Sequence, residues 1–212
     1  MLITIVSSQS SWINPYLKKF INQLKGFEYT VSWVHTAKDI KKGDVAFFLS
    51  FEEIIPEYIL SKHVNNIVVH GSDLPMGKGM SPISWQILEG RKEIVMTLFE
   101  MEERLDSGGI YLQDVMQFDG TELIDEIRDK QVKSTFKLCL EFLKKYPKIL
   151  NKVRVQRGKG SFYKRRGARD SRLDISKTIA EQFDLLRVVD NDIYPAFFKY
   201  KGQKYFLKVT KG

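Results

Sequence analysis

The sequence predicts an α/β protein with a Rossmann-like, doubly wound and mainly parallel sheet, followed by a small appendage of one helix and one β-hairpin. Short apolar runs alternate with helix-like segments through most of the chain, which is typical of this fold class. Continuous apolar runs such as "DVAFFLS" indicate strands buried on both faces. After Lys148 the alternation gives way to a basic segment. We therefore expect one domain at residues 1–150 and a C-terminal unit, packed on it, at residues 151–212.

The first half of the chain supplies four strands and two helices. An apolar run, an amphipathic stretch and alternating residues define these elements in turn. They are a strand at Leu2–Val6, a helix at about Trp12–Leu24, a strand at "YTVSWV", a buried strand at "DVAFFLS", a short helix or turn at "FEEIIPEYIL" and a buried strand at "NNIVVH".

The second half begins with a helix at "SPISWQILEG". Ser81 is its predicted N-cap, Pro82 its first residue and Gly90 its end. The remaining elements are strands at "EIVMTLF" and "GIYLQDVM", a long helix at about Gly120–Tyr146 stopped by Pro147, a helix at "SKTIAEQFDLLRVV" with Ile179, Phe183 and Leu186 on its apolar face, and a hairpin at "AFFKYKGQKYFLKVT" around a Lys-Gly turn.

The net charge of +8 lies in one segment. Residues Asn151–Arg172 hold nine Lys or Arg and one Asp, which leaves 25 basic and 25 acidic residues elsewhere. This distribution argues against a general nucleic-acid coat and suits a local polyanion such as a nucleotide diphosphate. A solvated surface loop explains the same charges equally well.

Other features exclude several classes of protein. The chain lacks an apolar run of about 18 residues, so we expect no membrane span. Its start, "MLITIVSSQ", lacks the features of a signal peptide, and its single cysteine, Cys139, lies on an apolar helical stripe. We expect a buried thiol and a cytoplasmic protein. His35, His63 and His70 have no partners at metal-ligand spacing, so we expect no metal.

The stretch Asn65–Gly90 contains the strongest candidate for a functional site. It does not fit a phosphate-binding loop, because Gly71 and Gly77 enclose five residues rather than four. It places His70 at the carboxyl end of a strand, the edge where open α/β sheets bind ligands. Asp106 follows the next strand, so the two could form an acid–base pair if their strands are neighbours. A core or surface histidine is the alternative.

Three stretches, in this order, resemble the folate-dependent formyltransferases. They are "VHGSDLPMGKGMSPISWQILEG", "LDSGGIYLQ" and "SFYKRRGARDSRLDISKTIAEQFDLLRVVDNDIYPAFF". The resemblance extends from about Ser50 to the C-terminus and is weaker at the start of the chain. It implies the formyltransferase fold, 10-formyltetrahydrofolate as the co-substrate, and a reaction without a metal.

The resemblance also implies catalytic residues. The family uses an Asn, a His and an Asp, and His70 and Asp106 match the last two. Val68 occupies the position of the Asn, so either another group replaces that donor, such as Ser72, a backbone N–H or, with a shifted strand register, Asn66, or the site works without it. His70 would stabilise negative charge on the formyl oxygen, and Asp106 would accept the proton of the attacking amine.

Two further groups of residues follow from the resemblance and the charge pattern. The implied folate contacts are Leu49, Ser50, Phe51, Ile55, Glu100, Met101, Glu103 and Leu105, although Ile55 fits a core position better. The candidate contacts to the second substrate are Ser10, Trp12, Lys78, Met80, Tyr163, Arg165 and Arg166.

The chain looks closest to nucleotide-sugar N-formyltransferases of the pseudaminic-acid type, which act in surface-glycan synthesis. The transfer-RNA enzymes of the family carry an additional C-terminal barrel, and this chain ends after one hairpin. The expected acceptor is thus a UDP-linked 4-amino-4,6-dideoxy sugar. We expect no nucleic-acid or membrane partner, and a monomer or homodimer. The alternatives are transfer to another small amine, hydrolysis of formyltetrahydrofolate, a non-catalytic folate- or nucleotide-binding module, and RNA binding through "YKRRGAR".

Overall fold

The computed structural model describes residues 1–212 and is built around one six-stranded sheet. The strands are β1 Leu2–Val6, β2 Thr30–Val34, β3 Gly43–Phe48, β4 His63–His70, β5 Lys78–Gly79, β6 Glu93–Glu100, β7 Ile110–Gln117, β8 Phe162–Tyr163, β9 Ala196–Tyr200 and β10 Gln203–Leu207. The helices are α1 Asn14–Gly26, α2 Glu57–Leu60, α3 Pro82–Leu88, α4 Ile124–Lys145 and α5 Phe183–Arg187.

The strand order in the large sheet is β2-β1-β3-β4-β6-β7. The first four strands run parallel, whereas β6 and β7 are antiparallel to their neighbours. The predicted mainly parallel, doubly wound sheet is confirmed. The reversal at β6 determines how the loop after that strand reaches the candidate site.

Helices α1 and α4 cover one face of the sheet and form the main core. Leu17, Phe20, Phe47 and Phe142 are at most 1% exposed and belong to one apolar cluster. Burying each such side chain contributes about 1.5–3 kcal/mol. Cys139 lies in the same cluster, where burial raises the pKa of its thiol, so it is a core residue as predicted. None of the helices combines the length and apolar character needed to cross a membrane.

A smaller cluster covers the opposite face near β3 and β4. Phe48, Ile55 and Ile59 are buried there, and Val68 of β4 packs against them. Because side chains alternate along a strand, His70 lies on the same face as Val68. This face therefore carries the candidate site, while the α1–α4 face supplies the support.

The C-terminal helix is shorter than the sequence predicts. A single helical turn at Ala180–Gln182 precedes α5, and Ile179 is 63% exposed rather than part of an apolar face. Thr178 and Glu181 form a capping box, in which each side chain accepts the backbone N–H of the other, so the helical turn begins only after Thr178. The Gln182 side chain bonds both the N–H and the carbonyl of Asp174, which stabilises a turn before it.

A buried ion pair holds α5 against the segment before α4. Arg187 donates from Nη2 to Glu122 Oε2 at 3.0 Å and from Nε to the Glu122 carbonyl at 2.9 Å. Both side chains are at most 5% exposed. A second pair joins Arg128 of α4 to Asp190 at 2.8 Å. These pairs pack the C-terminal residues on the sheet domain, and the boundary at residue 150 stays a prediction.

Candidate active site

His70 ends β4 with its ring buried beside the loop that follows. Its Nε2 lies 2.8 Å from the carbonyl oxygen of Gly77. Because a carbonyl oxygen can only accept, the His70 Nε2 carries the proton and donates it in this contact. The strand places the ring, and the loop fixes which nitrogen is the donor.

Asp106 reaches His70 by a route that the sequence does not reveal. Strands β4 and β6 are neighbours, as the prediction required, but they are antiparallel, with His70 opposite Thr97. The end of β6 therefore lies about 10 Å along the sheet from His70, at 3.3 Å per residue. The loop at residues 101–109 covers this distance and brings Asp106 Oδ2 to 3.9 Å from His70 Nε2. Both side chains are 10% exposed.

The glycine turn between these two residues engages both of them. Gly79 donates its N–H to Asp106 Oδ2 at 2.8 Å, and Gly77 accepts from His70. The sequence analysis missed this role, because backbone groups leave no residue-type signature. The repeated glycines of "GKG" were the available signal, since both adopt positive φ, +68° and +93°.

The basic segment completes the site from the other side of the glycine turn. Strand β5 pairs in parallel with β8. Ser161 accepts the Gly77 N–H on its Oγ at 2.9 Å and the Lys78 N–H on its carbonyl at 2.9 Å. The segment after residue 150 thus belongs to the structure of the site, and Ser161 is a second contact that the sequence did not indicate.

Replacing Gly79 with alanine is expected to abolish most activity. An added Cβ would lie 2.4 Å from the Tyr163 carbonyl oxygen, and the residue has φ +93°. The β5–β8 pairing and the bond to Asp106 must then shift.

Gly90→Ala is the matched control, because Gly90 also has positive φ, +78°, with open space around it. The control should lose about 1–2 kcal/mol of stability, the cost of the left-handed conformation, and keep its kcat. Equal kcat in both variants, with stability followed by thermal denaturation, would contradict this reading of the turn.

The structure separates the candidates for the missing amide donor. Asn66 lies four residues before His70, about 13 Å along the strand, and its side-chain N–H₂ donates to the Leu60 carbonyl. The structure therefore does not bring Asn66 to His70. Ser72 is 1% exposed, and its hydroxyl is buried without a partner. It packs beside Gly77, where an added Cβ would lie 2.9 Å from the Ser72 Cβ. Of the two donor groups, only the Ser72 hydroxyl lacks a partner within the protein, and its role stays a prediction.

The predicted folate contacts divide into core and surface residues. Leu49 is 1% exposed in the main core, and Ile55 is 5% exposed in the smaller cluster, so neither lines an open wall. Phe51, on the loop after β3, and Met101, on the loop after β6, are half-buried and pack against the same small cluster as Val68. Their folate contact stays a prediction.

The Glu100 side chain is engaged within the protein, so a folate contact at this residue, which stays a prediction, would fall to its backbone. Its carboxylate accepts from the Asn66 N–H, the Asn65 amide and the Tyr111 hydroxyl. Burial raises the pKa of Glu100, and these three donors offset part of that effect. The three others of the predicted set, Ser50, Glu103 and Leu105, lie on the flanking loops: Ser50 has φ +53°, Glu103 is exposed and Leu105 is 59% exposed.

Two of the predicted cationic contacts are engaged within the protein. Arg166 donates to the carbonyls of Val188 and Asp170, and burial lowers its pKa, so it acts as a structural anchor. Arg165 is exposed and pairs with Glu52 at 2.7 Å, which links the basic segment to the loop after β3. Only Arg165 of these two can exchange its partner for an anionic ligand at low cost.

The remaining candidate contacts to the second substrate lie in two places, near the loop after β1 and around the glycine turn. Trp12 packs against Tyr16 and under Arg128, and Ser10 is exposed on the loop after β1. Lys78 and Met80 flank Gly79 and are half-buried. Tyr163 packs next to Gly77 and donates its hydroxyl to Glu89; burial and this carboxylate raise its pKa to about 12.

Comparisons with known proteins find relatives of this chain by sequence. The chain is 26% identical over 201 residues to the bifunctional polymyxin resistance protein ArnA of Wigglesworthia glossinidia brevipalpis, covering 91% of this chain and 28% of that protein. It is 24% identical over 180 residues to methionyl-tRNA formyltransferase of Mycoplasma capricolum, covering 82% of this chain and 56% of that protein. The chain thus spans only part of these relatives.

Solved structures share the fold. Methionyl-tRNA formyltransferase from Clostridium thermocellum superposes with a TM-score of 0.81 at 22% identity, covering 100% of this chain and 93% of that one. HypX from Aquifex aeolicus in complex with tetrahydrofolic acid gives 0.83 at 18%, covering 98% and 37%. A sugar N-formyltransferase from Shewanella sp FDAARGOS_354 gives 0.73 at 15%, covering 100% and 98%. The sequence profile described as formyl transferase matches residues 28–143, more than half of the chain, and the protein belongs to that family.

Proposed function

We propose that this protein is an N-formyltransferase that moves the formyl group of 10-formyltetrahydrofolate to the amine of a nucleotide-linked amino sugar. The observation that carries the proposal is the meeting of His70 and Asp106, 3.9 Å apart and each 10% exposed, in a member of the formyl transferase family. A donor and a carboxylate held this close, each partly exposed, can serve a reaction that moves one proton.

The hydrogen bonds within the glycine turn support the assigned roles. His70 donates to a carbonyl oxygen, that of Gly77, and Asp106 accepts from an amide N–H, that of Gly79. A reaction that joins a formyl carbonyl to an amine presents the same two kinds of group. We assign His70 as the donor to the formyl oxygen, for which its Nε2–H must exchange the Gly77 carbonyl for that oxygen, and Asp106 as the acceptor of the amine proton. Ser72, with its unpartnered hydroxyl, is our candidate for the second donor.

The residues beside Val68 fit a folate. Phe51 and Met101 give a half-buried apolar wall, which suits a flat heteroaromatic ring. Asn66 Oδ1 is buried without a donor on the same face of β4, and a pteridine carries N–H groups. When bound, 10-formyltetrahydrofolate would supply the formyl group. We propose Phe51, Met101 and the backbone of the loops at residues 49–56 and 101–106 as its contacts.

The charge distribution supports a nucleotide sugar as the acceptor. The nine cations of Asn151–Arg172 lie in the segment that pairs with the glycine turn, so an anion bound there would stand close to His70. We propose Lys78 and Arg165 as diphosphate contacts, with Tyr163 beside the sugar. Our best single candidate is a UDP-linked 4-amino-4,6-dideoxy sugar of a pseudaminic-acid-like pathway. We place the reaction in the cytoplasm, in keeping with the single free thiol of Cys139.

Mass spectrometry of the products tests this proposal. The protein is incubated with 10-formyltetrahydrofolate and a panel of UDP- and dTDP-linked amino sugars, with glycinamide ribonucleotide and charged initiator tRNA as further acceptors. We expect the mass of one formyl group to appear on an amino sugar. Formylation of the tRNA alone would reject the sugar, and unchanged acceptors with folate still bound would reject the transferase.

A further inference from the structure

The loop that carries Asp106 is held in an unfavourable backbone conformation. Asp106 has φ +48°, in the left-handed region that residues other than glycine rarely adopt. Two residues later, Gly108 passes so close to β6 that an added Cβ would lie 1.8 Å from the Glu100 carbonyl oxygen. The loop therefore needs contacts from outside to stay in this conformation.

One side chain supplies those contacts. Gln156 donates both hydrogens of its amide, one to the Asp106 carbonyl at 2.9 Å and one to the Gly108 carbonyl at 2.9 Å. It is the only side chain outside residues 101–109 that bonds to the backbone of this loop. Its own backbone position is fixed by the paired bonds between Arg154 and Ile110 at the start of β7.

The other end of the Gln156 amide is not satisfied. Its Oε1 is buried without a donor, which costs free energy. Gln182 offers a contrast, because it also bonds loop carbonyls, yet its Oε1 accepts from the Asp174 N–H at 2.6 Å. A glutamine that served stability alone would be expected to use both ends, as Gln182 does.

From this geometry we propose that Gln156 is a positioning residue, which holds the backbone of Asp106 so that its carboxylate faces His70. It touches neither reacting group and acts through the loop. The carboxylate itself is held from the opposite side by the Gly79 N–H. The Gly79 N–H thus holds the carboxylate of Asp106 and the Gln156 amide holds its backbone, and together they define the orientation of Asp106. This role rests on the proposed formyl transfer.

Three substitutions separate positioning from stability. Gln156→Met keeps the length of the side chain and removes both donors. Gln156→Lys keeps N–H donors on a chain of similar length, and Gln156→Glu places carboxylate oxygens against two carbonyl oxygens. We expect kcat to fall about 10- to 100-fold in the methionine variant, further in the glutamate variant, and least in the lysine variant, with KM within about twofold of wild type.

Gln182→Met is the matched control. It removes one accepted and two donated hydrogen bonds in the appendage, the second donor being shared between the Lys177 and Thr178 carbonyls, so it should lower the melting temperature at least as much as Gln156→Met and leave kcat unchanged. The proposal is overturned if Gln156→Met keeps the wild-type kcat, or if kcat follows the melting temperature across all four variants. Absence of transfer in the wild type would instead reject the proposed function. Hydrogen exchange at residues 106–110 still tests positioning then: it should accelerate in Gln156→Met and stay slow in Gln182→Met.

Discussion

Replacing Asp106 with asparagine is expected to lower kcat by about 10²- to 10⁴-fold, the usual contribution of a positioned general base. The amide has the shape of the carboxylate, and its oxygen can still accept the Gly79 N–H that Asp106 Oδ2 accepts at 2.8 Å. The glycine turn and the fold should therefore persist. What disappears is the ability to take a proton from the attacking amine.

Steady-state kinetics with an amino-sugar acceptor, together with thermal denaturation, checks this expectation. Asp73→Asn is the control, because Asp73 lies on the same loop as Ser72 but is exposed, and its side chain bonds only to the Gln113 amide. Its kcat should stay within about twofold of wild type. If Asp106→Asn retained most of its kcat, Asp106 would be a structural carboxylate and the base would have to be found elsewhere.

Replacing Arg187 with alanine is expected to cost about 3–5 kcal/mol of unfolding free energy, because it breaks a buried ion pair and leaves the Glu122 carboxylate with only the partly exposed Lys130 as its cation. Arg187 is 4% exposed at its side chain and makes two bonds to Glu122 and one to Asp184. Lys208→Met is the control: Lys208 pairs with the exposed Asp192, and removing it should cost less than about 1 kcal/mol. Urea unfolding measures both.

The same carboxylate predicts a pH dependence. Burial raises the pKa of Glu122, but the Lys130 ammonium and the N–H groups of Asp119 and Gly120 outweigh it and lower the pKa to about 2. The unfolded value is about 4.5. Because the folded pKa is the lower one, Glu122 contributes its full stability above about pH 4.5 and loses it as the pH falls toward 2. Glu122→Gln should flatten this acid limb, and an unchanged limb would assign acid unfolding to other carboxylates.

The strands were predictable because their patterns are local. The continuous apolar run of β3 indicates a strand buried on both faces, and the alternating residues of β2 indicate a strand buried on one face. The direction of β6 was not predictable, since an apolar run has no polarity, and this reversal is what makes the Asp106 loop fold back. The helix predicted at Ser176–Val189 is shorter for another reason: Thr178 and Glu181 cap its start, and Gln182 stabilises a turn at Asp174 before it.

The candidate site was predictable where residue type decides the chemistry. His70 and Asp106 were found from their order after two strands and from the family resemblance. Arg166 and Glu100 were assigned to ligands, but the structure gives each of them partners within the protein. Residue type alone cannot show this, because the partners come from distant segments. Roles carried by backbone groups, such as those of Gly77 and Gly79, escape sequence analysis for the same reason.

The most direct measurement of the central claim follows the carbon of a labelled formyl group. Wild-type protein receives 10-formyltetrahydrofolate with an isotopic label on the formyl carbon, with and without the amino-sugar nucleotide. If His70 and Asp106 serve transfer to an amine, the label appears on the sugar nitrogen, and little formate forms without the acceptor. If the label appears as formate at the same rate whether or not the acceptor is present, water reaches His70 and Asp106 in place of the amine, and the protein is a hydrolase.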